Sequence, residues 1–159
     1  MAPEEDPLKL DSQLCFAVYA AGHAFTRFYK PRLDALGLTY PQYLVFLVLW
    51  EGDGLTVKAL GDKLFLDSGT ITPMIKRLEA RGLVRRQRDD EDERQVRIFL
   101  TPEGRALRAA ALAVPLAVGE ALAGERAAVE TLHQGLHQLR ERLDRLGIPP
   151  ERANLDGGA

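Results

Sequence analysis

Between Thr39 and Thr101 the chain is punctuated so closely that only short elements fit. Thr39 and Gln42 have the spacing of a capping box, and Pro41 suits a first helical turn. Gly52 and Gly54 then stop that helix, whose body from Leu44 to Trp50 is apolar all round, as in a helix buried on most sides. Thr56 can cap a short third helix with Val57, Leu60 and Leu64 on one side. Asp67 and Ser68 offer caps for a fourth, which carries Ile71, Met74, Ile75 and Leu78 at helical spacing until Gly82 stops it. Leu83 to Gln87 and Gln95 to Leu100 follow, the second alternating as Val96, Ile98 and Leu100, which predicts a hairpin with a long charged tip. Thr101, Pro102 and Glu103 restart a helix.

Longer helices flank this block. The first is expected to open at Asp11 or Ser12 and to run towards Tyr29, because Leu14, Val18, Ala21 and Phe25 share a face and Pro31 disfavours continuation. After Thr101 an alanine- and leucine-rich helix is expected to run until Pro115 or Gly119 disturbs it. In the last helix Val129, Leu132, Leu136, Leu139, Leu143 and Leu146 alternate by three and four, the pattern of a coiled-coil seam, which calls for a partner. Gly147, Pro149 and Pro150 end it. The pieces assemble as a mainly α fold with a small β-hairpin wing: a winged helix-turn-helix with a helical dimerisation region formed by the N- and C-terminal helices. The expected organisation is a flexible N-terminus over 1–10, one domain over 11–147 and a flexible tail over 148–159. Within the domain the winged helix spans about 39–101, and the dimerisation helices about 11–36 and 102–147.

A chain of 159 residues suits one such domain, and its 46% hydrophobic and 28% charged residues exclude a disordered or collagen-like chain. The longest apolar run, Tyr43 to Trp50, is too short to cross a bilayer. The acidic start, Met1 to Asp11, is the reverse of a secretory signal. A single cysteine, Cys15, cannot form an internal disulfide, and together these features predict a cytoplasmic protein. The net charge of -2 hides a concentration: Lys76, Arg77, Arg81, Arg85, Arg86 and Arg88 stand against Glu79 alone. A basic stretch on an acidic body neutralises phosphates locally while the rest of the surface repels them.

The predicted partner is therefore double-stranded DNA. The fourth helix would present Asp67, Ser68, Thr70 and Thr72 to base edges or phosphates, with Lys76, Arg77 and Arg81 supplying charge along the backbone. Arg94, with Arg86 or Arg88, is long enough to reach a minor groove from the wing. The acids Asp89 to Glu93 would repel phosphates unless paired, so an Asp92–Arg94 interaction is expected to hold the wing in shape. His133 and His137 are four apart on the last helix, but no third ligand type is evident nearby, and neither a metal nor another cofactor is expected.

Three runs carry a resemblance: Leu14-Cys15-Phe16-Ala17-Val18-Tyr19, Leu38-Thr39-Tyr40-Pro41-Gln42-Tyr43-Leu44-Val45, and Leu66-Asp67-Ser68-Gly69-Thr70-Ile71-Thr72-Pro73 continuing through Lys76-Arg77-Leu78-Glu79. With the Asp92-Glu93-Arg94 segment they resemble the MarR family of winged-helix regulators, and within it the organic-hydroperoxide sensors known as OhrR, over Leu10 to Arg108. The resemblance implies a homodimeric repressor, not an enzyme. It would bind a palindromic operator when Cys15 is reduced and leave when an organic hydroperoxide oxidises it. The resemblance also implies that Tyr19, Tyr29 and Tyr40 hydrogen-bond the sulfur from both subunits. It places Asp92 and Arg94 in the DNA-facing wing. Phe16, Phe25, Phe28 and Tyr43 are apolar neighbours that would favour an alkyl hydroperoxide. No second cysteine is present to resolve the sulfenic acid, so the one-cysteine branch implies a small cellular thiol as co-reactant, or a sulfenamide or overoxidised end state. A MarR regulator controlled by a small ligand remains an alternative, as does a thiol peroxidase, which the missing resolving cysteine and the winged helix weigh against.

Overall fold

The computed structural model describes residues 6–146; the expected tail, the Gly147 to Pro150 helix stop and the first five residues lie outside them. The chain order is α1 (Leu14–Asp34), α2 (Tyr40–Glu51), β1 (Leu55–Thr56), α3 (Val57–Leu64), α4 (Ser68–Ala80), β2 (Val84–Arg88), β3 (Val96–Leu100), α5 (Pro102–Ala111), α6 (Ala113–Ala121) and α7 (Arg126–Arg145). Four polar caps act where their chemistry allows. The Gln42 amide donates to Thr39 Oγ1 at 3.5 Å and the Gln42 side chain accepts from the Thr39 amide at 3.0 Å. Thr56 Oγ1 accepts from Ala59, Asp67 Oδ1 from Thr70, and Thr101 Oγ1 from Gly104.

The sheet is antiparallel in the order β1–β3–β2, with Val84 opposite Leu100, Arg88 opposite Val96 and Leu55 opposite Ile98. The third strand, β1, was not anticipated. Two residues are too few to show alternation, and what brings the segment alongside β3 is a set of contacts distant in sequence: the Gly54 amide donates to the Ile98 carbonyl at 3.0 Å and the Leu100 amide to Asp53 Oδ1 at 2.8 Å. Most of the core lies under this sheet: Val45, Phe46 and Leu49 of α2 meet Leu60, Ile71, Ile75, Leu78, Val84 and Ile98. A second cluster, Leu33, Tyr43, Ala111 and Val114, joins the end of α1 to α2, α5 and α6. α2 is thus wrapped by two cores, which accounts for its all-round apolar sequence.

Three helix limits differ from expectation. A 3₁₀ turn over Leu10–Ser12 precedes α1, whose N-cap is Gln13 rather than Asp11 or Ser12. α1 also continues through Pro31 to Asp34. Proline removes the bond to the Arg27 carbonyl, but Arg32 Nη1 donates to the Phe28 carbonyl at 2.8 Å while its guanidinium lies 4.2 Å over the Phe28 ring. Burial of Leu33, 2% exposed, then anchors the last turn. Finally, α5 breaks at Leu112, ahead of Pro115, and α6 passes Pro115 and Gly119. A proline opposes the helix one turn before itself and is tolerated in a first turn, which is where Pro115 sits.

No single helix among the described residues is long and apolar enough to cross a membrane. The first half of α1 and all of α7 contribute no buried residue. Leu132, 61% exposed, and Leu136 and Leu143 of the anticipated seam lie open, as do Leu14, Val18 and Tyr19 on α1.

Candidate nucleic-acid interface and cysteine site

Burial of Ile71, Met74, Ile75 and Leu78 turns the opposite side of α4 outward. Residues four apart stack in rows on a helix, so Ser68, Thr72 and Lys76 form one row, whereas Thr70 and Arg77, seven apart, form another. Ser68 and Thr72 of the first row border a concavity of about 690 Å³ between α3, α4 and the wing, lined also by Asp67, Arg86 and Arg94. Thr70, Lys76, Arg77 and Arg88 lie outside it. Lys58 also borders it but pairs with Asp62 at 3.1 Å.

Not every cation in the basic run faces outward unpaired. Arg86 is held by Glu79, whose carboxylate accepts from the Arg86 amide at 3.0 Å and from Nε at 2.6 Å. These two bonds, backbone first, lower the Glu79 pKa. Arg86 therefore ties β2 to α4 while its side chain stays partly exposed. Arg81 Nη1 donates to the Gly37 carbonyl at 2.5 Å, turning its charge towards the α1–α2 loop. Arg85 stacks over Phe99. Lys76, Arg77, Arg88 and Arg94 make no ion pair among the described residues and carry the open positive charge.

The expected Asp92–Arg94 interaction is present, but it runs through the Arg94 backbone rather than its guanidinium. Asp92 accepts from the Arg94 backbone amide at 3.1 Å and from Gln95 Nε2 at 3.1 Å, leaving the Arg94 guanidinium free of it. The ion pair instead joins Asp89, whose side chain is 5% exposed, to Arg97. Asp89 Oδ1 also accepts from the Glu91 and Asp92 amides, and these bonds with the Arg97 contact lower its pKa. Arg97 Nη1 reaches on to the Gly54 carbonyl at 3.0 Å, locking the tip to β1. The pair escaped sequence reasoning, although hairpin register offered a signal. Arg97 faces Gln87, and Asp89 is two residues further along the same face.

A second unanticipated contact lies at the α3–α4 turn. Phe65 has left-handed backbone geometry (φ 56°), is 60% exposed, and sits beneath Arg140 of α7 with the guanidinium 4.3 Å from its ring centre.

Cys15 is exposed on the first turn of α1, and Tyr19 and His23 continue its row, their rings 4.3 Å apart. Tyr29 and Tyr40 are not beside it. They join Tyr43 in a cluster with centroids 5.1 to 6.5 Å apart, flanked by Phe25 and Phe28. Burial raises the pKa of all three phenols. They are hydrogen-bond donors at neutral pH. Fourteen residues of helix separate Cys15 from Tyr29, about 21 Å, so within one chain the sulfur and the cluster cannot meet.

Two short helices, an outward-facing polar row and a three-stranded basic wing define a winged helix-turn-helix DNA-binding protein. Residues 27–110 match the family model described as transcriptional regulator SarA/Rot. The chain is 53% identical to the HTH-type transcriptional regulator TtmR of Methylorubrum extorquens over 154 residues, 94% of this chain and 79% of that one. It is 49% identical to the organic hydroperoxide resistance transcriptional regulator of Bacillus subtilis over 140 residues, 84% and 95% of the two chains. The structure of reduced AbfR bound to DNA, a Staphylococcus epidermidis protein, superposes with a TM-score of 0.74 at 38% identity, covering 84% of this chain and 94% of that one. The chain belongs to the MarR family of winged-helix transcriptional regulators, in the branch of the organic hydroperoxide regulators. Its relatives are regulators, not enzymes, which removes the thiol peroxidase alternative.

Proposed function

We propose that the protein is a homodimeric repressor that holds palindromic operator DNA while Cys15 is reduced and releases it when an organic hydroperoxide oxidises that sulfur. The observation that carries this reading is the separation of the sulfur from its phenols. Cys15 and Tyr19 lie on an uncovered stretch of α1, while Tyr29 and Tyr40 form a donor cluster about 21 Å along the chain. A second copy related by a two-fold axis brings each sulfur to its partner's Tyr29 and Tyr40, so the sensor and the dimer interface are one structure. The exposed leucines of α7 supply the apolar surface for the same interface.

The thiolate attacks the distal peroxide oxygen, forming a sulfenic acid as the O–O bond breaks, and the alkoxide leaves protonated as the alcohol. Because Cys15 is the chain's only cysteine, a small cellular thiol then condenses with the sulfenic acid to give a mixed disulfide and water. The added bulk at α1 displaces the interface and, with it, the spacing of the two α4 helices from the one-turn separation of about 34 Å. On each half-site Ser68, Thr72 and Lys76 face the major groove, Thr70 and Arg77 reach the flanking phosphates, and Arg94 enters the minor groove.

The test is anisotropy of a labelled duplex from the protein's own upstream region at one salt concentration, before and after an organic hydroperoxide with a small thiol. Binding that is lost on oxidation and retained by Cys15→Ser supports the proposal. Binding that ignores peroxide replaces it with control by a small ligand.

A further inference from the structure

The last helix carries two side chains that neither DNA reading nor cysteine oxidation uses. His133 and His137 stand one turn apart on α7, both exposed, with ring centroids 4.5 Å and Nε2 atoms 3.2 Å apart. As a hydrogen bond this contact has one Nε2 donating and the other accepting, the roles set by the tautomers of the two rings. With the donor ring in its other tautomer, its proton carried on Nδ1, both Nε2 lone pairs are directed into one gap. In a tetrahedral zinc complex with Zn–N bonds of about 2.0–2.1 Å, two ligand nitrogens stand about 3.3–3.4 Å apart. The pair is therefore already at chelating separation, and a small turn of each ring aims both lone pairs at one ion.

We propose that His133 and His137 form a bidentate site for a late first-row divalent cation, Zn²⁺ foremost. Imidazole nitrogens select zinc, copper and nickel over magnesium and calcium, which take oxygen ligands. No third His, Cys, Asp or Glu joins the pair among the described residues, so water fills the remaining positions and the ion exchanges readily. The location gives the site a consequence. α7 contributes no buried residue, and His133 directly follows Leu132 of the exposed leucine row. A metal clip across one turn orders a helix whose own packing in the protomer is thin, and it does so beside the surface proposed to dimerise.

Zn²⁺ titrated calorimetrically into the reduced full-length protein tests the proposal, with His133→Gln, His137→Gln and Cys15→Ser in parallel and circular dichroism confirming each fold. One ion per protomer is expected in wild type and Cys15→Ser. Losing an outer-shell partner of a bound metal already costs roughly tenfold in affinity, so either glutamine variant should bind at least that much more weakly. Zn²⁺ should also slow hydrogen exchange of the α7 amides in wild type and in neither histidine variant. Absence of binding in wild type, unchanged affinity in the histidine variants, or loss of binding in Cys15→Ser would each overturn the site; the last would assign the ion to the thiolate.

Discussion

The phenols and the aspartate of the wing tip show how single side chains divide the work. Tyr29, Tyr40 and Tyr43 are kept as neutral donors because burial penalises the phenolate. Removing one hydroxyl from a bond to an ionised sulfur costs about 1.5–3 kcal/mol. Tyr29→Phe should therefore slow Cys15 oxidation by cumene hydroperoxide by about tenfold or more, followed as loss of titratable thiol, while leaving reduced-state DNA affinity intact. Asp89 is a carboxylate whose pKa is lowered by the Glu91 and Asp92 amides and Arg97. Its contribution to wing stability is therefore present above the unfolded carboxylate pKa of about 3.9 and is lost as pH falls through the lower folded value. Asp89→Asn should remove that acid-dependent loosening and speed exchange of the Glu91 and Asp92 amides at neutral pH, read by hydrogen exchange across the wing. The capping residues and Cys15 were legible in the sequence because their cues are local, or, for the cysteine, because a resemblance pointed to it. Arg86 was not: a count of charges cannot see that Glu79, seven residues earlier, folds back against it.

At the level of elements, close approaches of backbone decide how the winged helix is mounted on the rest of the chain. Gly104 opens α5 against β2, and a Cβ there would lie 2.1 Å from the Leu83 carbonyl oxygen, with the Gly104 carbonyl accepting from Trp50 Nε1 at 3.1 Å. Gly104→Ala should destabilise the protein by about 1–3 kcal/mol or more, since backbone has to move, and denaturant unfolding will measure it. The α3–α4 turn is tied to α7 by Phe65 and Arg140. A partly exposed cation–π contact contributes about 0.5–1 kcal/mol, so a double-mutant cycle of Phe65→Ala and Arg140→Ala should return a coupling of that size in thermal unfolding. Helix limits were readable where polar caps set them, at Thr39, Thr56, Asp67 and Thr101. They were misread at Pro31 and Leu112, where Arg32, Leu33 and the position of Pro115 in a new first turn outweigh what proline alone dictates.

For the molecule as a whole, the uncovered rows on α1 and α7 are the largest unmet demand. Leu132 and Leu136 stand exposed at coiled-coil spacing, 61% and 41% among the described residues. Leu132→Asp with Leu136→Asp should shift the protein from dimer to monomer by light scattering and weaken operator binding, since one half-site then binds without the other; a variant that stays dimeric would place the interface elsewhere. By itself the sequence determined the order of elements, the winged helix-turn-helix and the polar row on α4, because caps, glycines and apolar periodicity act over a few residues. Tertiary structure alone decided the third strand, the Asp89–Arg97 strut, the capture of Arg86 and Arg81, and the gathering of Tyr29, Tyr40 and Tyr43 into one cluster. Each of those depends on where the chain returns in space, and a contact between residues far apart in sequence leaves no local periodicity to read.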